Sequence, residues 1–440
     1  MEERGYEYDL ELNLLAAQRS ALVEATEQLR RALDLLATLP ATPALRREQI
    51  KLQVALISPL LPVKGYAAQE TKAAVERARL LIEQAEALGE PPEDPLLLFS
   101  VLYGFWVANY VAFNGDVMRE LATEFLTLAG KQRATAPLMI GHRLMGLSLL
   151  VTGDIAESRA HLDRARTLYD PAEHRPLATR FGQDVGVAIL SLRSWALCVL
   201  GFRQAALADI ERAVKEAREI GQAATLMYAL LVASITHVIC GNYAEANAKI
   251  DELIALTDQT GSLFWGAWGM MQRGCVLALT GKAPDAVQTI TSGITAWRST
   301  GSTAMIPSYL SYLAGAHAEL GQFDNAARCI GEAMTTLETT KERWHEAEVN
   351  RIAGEIALLP PEPDAAKAEV YFERALGIAR AQYAKSWELR AAMSMARLWR
   401  DQGKPQQALE LLAPVYGWFT EGFDTRDLKD AKALIDALAA

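Results

Sequence analysis

Gly-Phe-Arg-Gln-Ala-Ala (Gly201 to Ala206), Gly-Asn-Tyr-Ala-Glu-Ala (Gly241 to Ala246), Gly-Lys-Ala-Pro-Asp-Ala (Gly281 to Ala286) and Gly-Gln-Phe-Asp-Asn-Ala (Gly321 to Ala326) are one phrase met four times. The glycines fall 40 residues apart (241 − 201, 281 − 241, 321 − 281), and each phrase leads to a bulky apolar residue and then usually a small one: Ile210 and Ala213, Ile250 and Leu253, Ile290 and Gly293, Ile330 and Ala333. Glycine between two helical patterns takes the left-handed conformation that ends the first helix, and the Ala, Ile, Ala series at spacings of four and three marks one face of the next. Each unit is therefore a helix, a tight turn and a second helix. A fixed period of this size made of helix pairs predicts an all-α solenoid, an α-α superhelix with a pitch of about 40 residues.

The pattern extends in both directions. Turns at Gly115-Asp116 and Gly153-Asp154 precede Gly201, and Pro361-Glu362-Pro363-Asp364 and Gly403-Lys404-Pro405 follow Gly321. The interval from Gly153 to Gly201 is 48 residues, and its surplus falls in the polar, proline-flanked stretch Tyr169 to Pro176, read as a linker that leaves the stack undisturbed. Towards the N-terminus, a helical pattern over residues 8 to 38 ends at Leu39-Pro40, a second turns at Lys64-Gly65-Tyr66, and Gly89 to Pro95 breaks a third. The expected organisation is an N-terminal capping segment over 1–42, a solenoid of about nine helix pairs over 43–423, and a capping helix over 424–440 that starts at Asp424-Thr425.

Composition supports a folded chain: 51% hydrophobic and 22% charged over 440 residues. A net charge of −10 argues against binding to nucleic acid. Cys198, Cys240, Cys275 and Cys329 show no metal or disulfide spacing and fit small apolar fillers in a reduced, cytoplasmic protein. The opening Met-Glu-Glu-Arg-Gly-Tyr-Glu-Tyr is acidic, so no secretory leader is expected. Pro95 to Asn114 carries no charge and is long enough to cross a bilayer. Its acidic flanks and the repeat turn that follows assign it to a buried solenoid helix, and no membrane association is expected.

In the spacing of Gly, Ala, large apolar and small residues, and in the small residue seven before the turn (Gly146, Ser194, Ser234, Gly274), the units resemble tetratricopeptide repeats. The pitch exceeds the ~34 residues of that motif, and Leu253 and Gly293 replace its alanine. The longer pitch resembles the helical tails of bacterial signalling ATPases of the STAND type. More narrowly, Thr38 to Pro43 and Leu52 to Ala68 resemble the opening of the repeat tail in bacterial class III adenylate cyclase and AAA-type ATPase fusion proteins. That resemblance implies a regulatory tail with an ATPase or cyclase partner, in the same chain or a separate one.

Catalytic chemistry is not legible. No strand-flanked phosphate loop and no Gly-x-Ser-x-Gly elbow occur, and Gly281-Lys282 has the wrong spacing and context. His237 and His317 both stand four residues before a turn glycine, and equal register in two repeats indicates packing. No catalytic, cofactor or metal residue is expected, and the chain reads as a non-enzyme.

Binding is the better prospect. In tetratricopeptide repeats the positions 13 and 10 before the turn glycine tend to line the concave groove, which here gives Tyr228 and Leu231, Trp268 and Met271, Ser308 and Ser311, and Arg390 and Met393. An apolar middle with a basic end suits a peptide or amphipathic helix. Trp268 and Met271 equally fit packing between repeats, and Arg390, Arg397 and Arg400 fit either a carboxylate clamp or a solvated arginine face. The expected function is a protein-protein interaction or sensor module in a bacterial signalling ATPase or cyclase system. The alternatives are a cyclase subunit or fragment active only in a complex, and a structural adaptor.

Overall fold

The computed structural model describes residues 23–40, 42–64, 69–90, 94, 96–132, 134–359 and 363–439. Among these, regular structure is entirely helical. Residues 8–22 of the first expected helix, the turn after Lys64 and the start of the Pro361 turn lie outside the described residues. Residues 23–37 are helical.

Among the described residues nine antiparallel helix pairs follow: Pro43–Lys64 with Gln69–Ala87, Leu97–Val111 with Gly115–Gln132, Thr135–Thr152 with Ile155–Leu168, Val185–Leu200 with Arg203–Ile220, Ala223–Cys240 with Tyr243–Thr260, Leu263–Leu279 with Ala283–Ser299, Ile306–Glu319 with Phe323–Thr340, Glu346–Ala357 with Ala365–Ala381, and Lys385–Asp401 with Pro405–Gly417. Arg426–Ala439 covers the last pair, burying Leu428, Ala431, Leu434 and Leu438. The molecule is a tetratricopeptide-like α-α superhelix.

Each 40-residue unit divides into two 20-residue halves, each ended by a left-handed residue. Positive φ occurs at Gly201, Gly221, Gly241, Gly261, Gly281, Gly301 and Gly321, and Lys341 then takes the next place with φ 63°. At the second pair the left-handed residue is Phe113, and Gly115 begins the following helix.

The two helices of a pair differ in kind. Second helices are amphipathic: Phe323–Thr340 buries Ala326, Cys329, Ile330, Ala333 and Leu337, a stripe at helical spacing. The first helices from Leu97 to Leu279 are apolar almost all round, and every residue of Val185–Leu200 except Arg193 is buried, whereas the later first helices Glu346–Ala357 and Lys385–Asp401 carry charged positions as well. They form the inner layer, enclosed by second helices on one side and by other first helices on the other. Leu97–Val111, inside the uncharged run, is a mostly buried helix of this layer. Ala223–Cys240 is the one described single helix long and apolar enough to cross a bilayer, and 83% of it is buried.

Small residues in the first helices seat the bulky residue of the second. A Cβ at Gly274 would stand 2.3 Å from Ile290 Cγ1, and one at Gly146 would stand 2.7 Å from Leu162 Cδ2. Gly293, where the motif has alanine, allows Met271 to pack within 2.7 Å of where its Cβ would be.

The stretch read as a linker is a compact insert: Pro171–His174, a 3-10 turn at Arg175–Leu177, and Ala178–Phe181. Asp170 caps its start by accepting from Ala172 N (2.8 Å), and Phe181 is fully buried edge-on to Tyr103 at 5.1 Å.

Turn glycines of the early repeats meet a second constraint. A Cβ at Gly201 would lie 2.8 Å from the Trp418 ring and 3.0 Å from Lys385 Cβ, whereas one at Gly321 would touch nothing within 4 Å. Both substitutions to alanine impose a left-handed penalty of ~1–2 kcal/mol. Gly201→Ala is expected to lose about 1–3 kcal/mol more than Gly321→Ala through overpacking, measured by urea unfolding of the two variants. Equal losses would refute the contact.

Candidate functional site

The contacts at Gly201 belong to a seam. From Val111 to Gly241, the turns between paired helices meet the chain one superhelical turn later. Val111 O accepts from Thr303 N (2.9 Å) and Ala304 N (3.1 Å), and Val151 O accepts from Arg343 N (2.8 Å) and Trp344 N (3.3 Å). The offset is 192 residues in both cases (303 − 111, 343 − 151), close to five units. Further along, Ser386 Oγ donates to Cys198 O (2.6 Å), and Arg390 Nη2 donates to Ile239 O (2.8 Å). Glu421 Oε1 accepts from Gln204 N (2.9 Å) and Ala205 N (3.2 Å), capping a helix whose own N-cap residue, Phe202, provides no side-chain bond.

The seam closes on one carboxylate. Asp427 Oδ2 accepts from Arg203 Nη2 at 2.6 Å and from Arg390 Nε at 2.8 Å. Arg390 Nη1 also reaches Glu348 Oε2 (3.2 Å), and Glu348 holds Arg351 through two bonds of 2.7 and 3.1 Å. Arg203 is fully buried and Glu348 nearly so. Despite the cost of burial, the guanidiniums hold the Glu348 and Asp427 carboxyls down at about 2.

The interior is filled by first-helix side chains. Trp344 stands edge-on to Trp195 at 4.7 Å, Trp387 Nε1 donates to Trp344 O (3.0 Å), and Trp268 Nε1 donates to Tyr309 OH (2.7 Å), which donates to Gln272 Oε1 (3.1 Å). Tyr228, Leu231, Trp268, Met271, Ser308, Ser311 and Met393 are all buried. Arg390 is spent on the seam, and Arg397 is half-buried. The expected open groove is closed in this conformation, because helices one superhelical turn apart pack across the axis where a solenoid of wider radius would leave a channel. A cavity of about 20 Å³ remains, bordered by Gln272, Ser308, Tyr309 and Tyr312, space for a single water.

Two titratable groups are shut inside. Glu342 accepts from Met305 N (2.9 Å) and Trp344 Nε1 (3.2 Å), and burial pushes its carboxyl up to about 8. His345, ringed by Trp344, Trp387 and Tyr312, has both nitrogens unbonded, and burial lowers it to about 4. His237 and His317 are buried packing residues. His317 Nδ1 meets Gln322 Oε1 at 2.6 Å, while His237, followed by the shorter Asn242, leaves Nδ1 without a partner.

All four cysteines are buried and unbridged. The structure brings Cys198 and Cys240 together, with sulfurs 3.4 Å apart. Their separation of 42 residues, one repeat, was the available sequence signal. Among the described residues no group of three or more His, Cys, Asp or Glu could hold a metal ion.

No protein-family model matches the chain. The "Uncharacterized protein R02095" of Rhizobium meliloti (strain 1021) is 23% identical over 397 residues, covering 87% of this chain and 36% of that protein. The chain thus spans about a third of the length of the curated relative it matches. A Rap protein solved complexed with Competence and Sporulation Factor is similar to it with a TM-score of 0.58 and 13% identity, over 87% of this chain and 99% of that one. The Rap conjugation gene regulator of the plasmid pLS20, solved in complex with the Phr* peptide, has a TM-score of 0.49 and 10% identity over 89% and 96%. The first of these structures supports the superhelical fold.

Asp427→Ala would leave two guanidiniums without their shared carboxylate and is expected to cost about 3–5 kcal/mol. Asp430→Ala, in an exposed pair with Arg426 at 3.7 Å, should change stability by less than about 0.5 kcal/mol. Urea unfolding of both variants checks this contrast. Because folding lowers the Asp427 and Glu348 pKa values, their stabilisation is present above the ordinary carboxylate range and is lost as pH falls from about 4 to about 2. Glu342 has the opposite sign: its contribution is complete below about 4.5 and fades as pH rises to about 8. Glu342→Gln should flatten the stability profile between these pH values, and a slope unchanged in that variant would exclude Glu342 as its source.

Proposed function

We propose that this chain is a non-enzymatic interaction and sensor module of tetratricopeptide type, the regulatory repeat portion of a bacterial signalling system with an ATPase or adenylate cyclase partner. The observation that carries this reading is the seam. Two superhelical turns are joined by a small set of directional contacts, centred on Asp427, over an interior of packed first helices. Packed interfaces of this kind have discrete alternative arrangements, so a ligand preferring one curvature shifts the population. Moving such an equilibrium from 1:99 to 99:1 takes a differential affinity of roughly 10⁴-fold, a scale set by a few buried charge pairs.

The partner is a protein or peptide. The solved Rap protein in complex with Competence and Sporulation Factor supports the capacity of this architecture to hold a ligand. The match to only 36% of the Rhizobium meliloti protein supports a place within a longer polypeptide or assembly, where nucleotide chemistry would reside in another portion. No nucleic-acid role is proposed, in keeping with the net charge of −10. The Tyr228, Leu231, Trp268, Met271, Ser308, Ser311, Arg390, Met393 and Arg397 surface is the one a partner would meet on an opened superhelix.

Purified chain should turn over neither ATP nor its cyclic product, and turnover by the isolated chain would overturn the non-enzymatic reading. Asp427→Lys should enlarge the radius of gyration in small-angle X-ray scattering and change the proteins cross-linked from a bacterial lysate. Identical scattering and capture by both chains would remove the seam as the regulated element.

A further inference from the structure

The insert between the third and fourth helix pairs, from Leu168 to Val185, breaks the 40-residue pitch, and it builds a cleft of about 160 Å³. The cleft is bordered by Arg166 at the end of Ile155–Leu168, Arg175 in the insert and Arg212 on Arg203–Ile220, so its three guanidiniums come from three separate elements. Its apolar wall is Ile189, Leu190 and the Tyr169 ring.

The wall is held in place by its own contacts. The Tyr169 ring lies over Gly186, where a Cβ would stand 2.4 Å from two ring carbons, so only glycine admits it. The Tyr169 hydroxyl donates to the Asp184 carboxylate at 3.0 Å, and fully buried Asp184 in turn accepts from Val187 N at 2.9 Å. Asp184 N donates to Thr225 Oγ1 at 2.9 Å, tying the wall to the next repeat.

The charges at the rim are unbalanced. Glu216 is the acidic residue of the lining and is taken by Arg212 at 2.7 Å. Arg166 stands 3.8 Å from Asp209, whose carboxylate is already bound to Arg193. Arg175 makes no close ion pair among the described residues; it hydrogen-bonds the Tyr169 hydroxyl and lies in the field of the Asp184 carboxylate behind that ring. Arg175 therefore has donors to give, and Arg166 has a weak hold on its partner.

We propose that this cleft binds a small organic anion, a carboxylate or phosphate on a short branched apolar body, with Arg175 and Arg166 taking the anion and Ile189, Leu190 and Tyr169 the body. The volume fits a ligand of amino-acid size. Arg175, carried by the insert, is the principal contact, which gives the departure from the repeat pitch a purpose that stacking does not require. The site is independent of the seam and of the partner proposed above.

The test is calorimetric titration of the full chain with N-acetyl-L-leucine, with its neutral amide and with inorganic phosphate, together with urea unfolding of every variant. At least one anion should bind while the neutral amide does not. The stronger of the two anions tells whether the natural group is a carboxylate or a phosphate. Arg175→Ala should weaken binding about tenfold or more, the worth of a charge-assisted hydrogen bond, at unchanged stability. Arg400→Ala, at an exposed pair with Asp401, should leave binding unchanged. The proposal is overturned if neither anion binds, if the amide binds as well as the acid, or if Arg175→Ala and Arg400→Ala behave alike. None of these results depends on whether a protein partner is found.

Discussion

One carboxylate, that of Asp427, receives Arg203 from the turn within the fourth helix pair and Arg390 from the last helix pair. It joins segments 224 residues apart (427 − 203), and the shape of the molecule follows from that closure. A solenoid in which each repeat touched only its neighbours would be open at every turn, its stability a sum of local terms. Here a second kind of contact runs between turns, and buried guanidiniums make it costly to break. The carboxylate is in effect shared: each arginine alone would justify its burial, and both depend on it.

Around that closure the inner layer trades a binding channel for a core. First helices that are apolar on every side would be unstable lining water, and they are satisfied because the superhelix is narrow enough for Trp195, Trp344 and Trp387 to meet across it. The price is a set of polar groups with little freedom. Glu342 serves the left-handed Met305 backbone and the Trp344 indole, and His345 stays neutral among rings. Since burial raises one acid and lowers one base, their linkages to pH run in opposite directions over the mildly acidic range where both act, from about 4.5 to about 6.5.

Departures from the repeat are where the molecule acquires individuality. Phe113 takes a left-handed turn where the phrase has glycine, Lys341 takes one where the mid-unit turns have glycine, Gly293 admits Met271, and the insert after Leu168 replaces a simple link with three helical turns and a cleft. None disturbs the stack, because each lies at a turn or at a helix-helix contact whose neighbours accommodate it.

The sequence by itself determined the helix pairs, their 40-residue pitch and the superhelical class, since a turn glycine and a stripe of Ala and Ile report local backbone and one buried face. It also determined that His237 and His317 pack, because equivalent register forces equivalent surroundings. The half-period of 20 was legible in Gly221, Gly261 and Gly301, which stand midway between the phrase glycines. Only the tertiary structure decided the radius of the superhelix, and with it the fate of Trp268, Met271 and Arg390. Radius accumulates from small rotations at every interface, so residues that periodicity places on a concave surface become core once the turn closes. The pairing of Arg203 with Asp427 and the convergence of Arg166, Arg175 and Arg212 on one cleft arise from closure and stacking in three dimensions, which no fixed spacing along the chain encodes, whereas Cys198 and Cys240 meet because they stand one repeat apart.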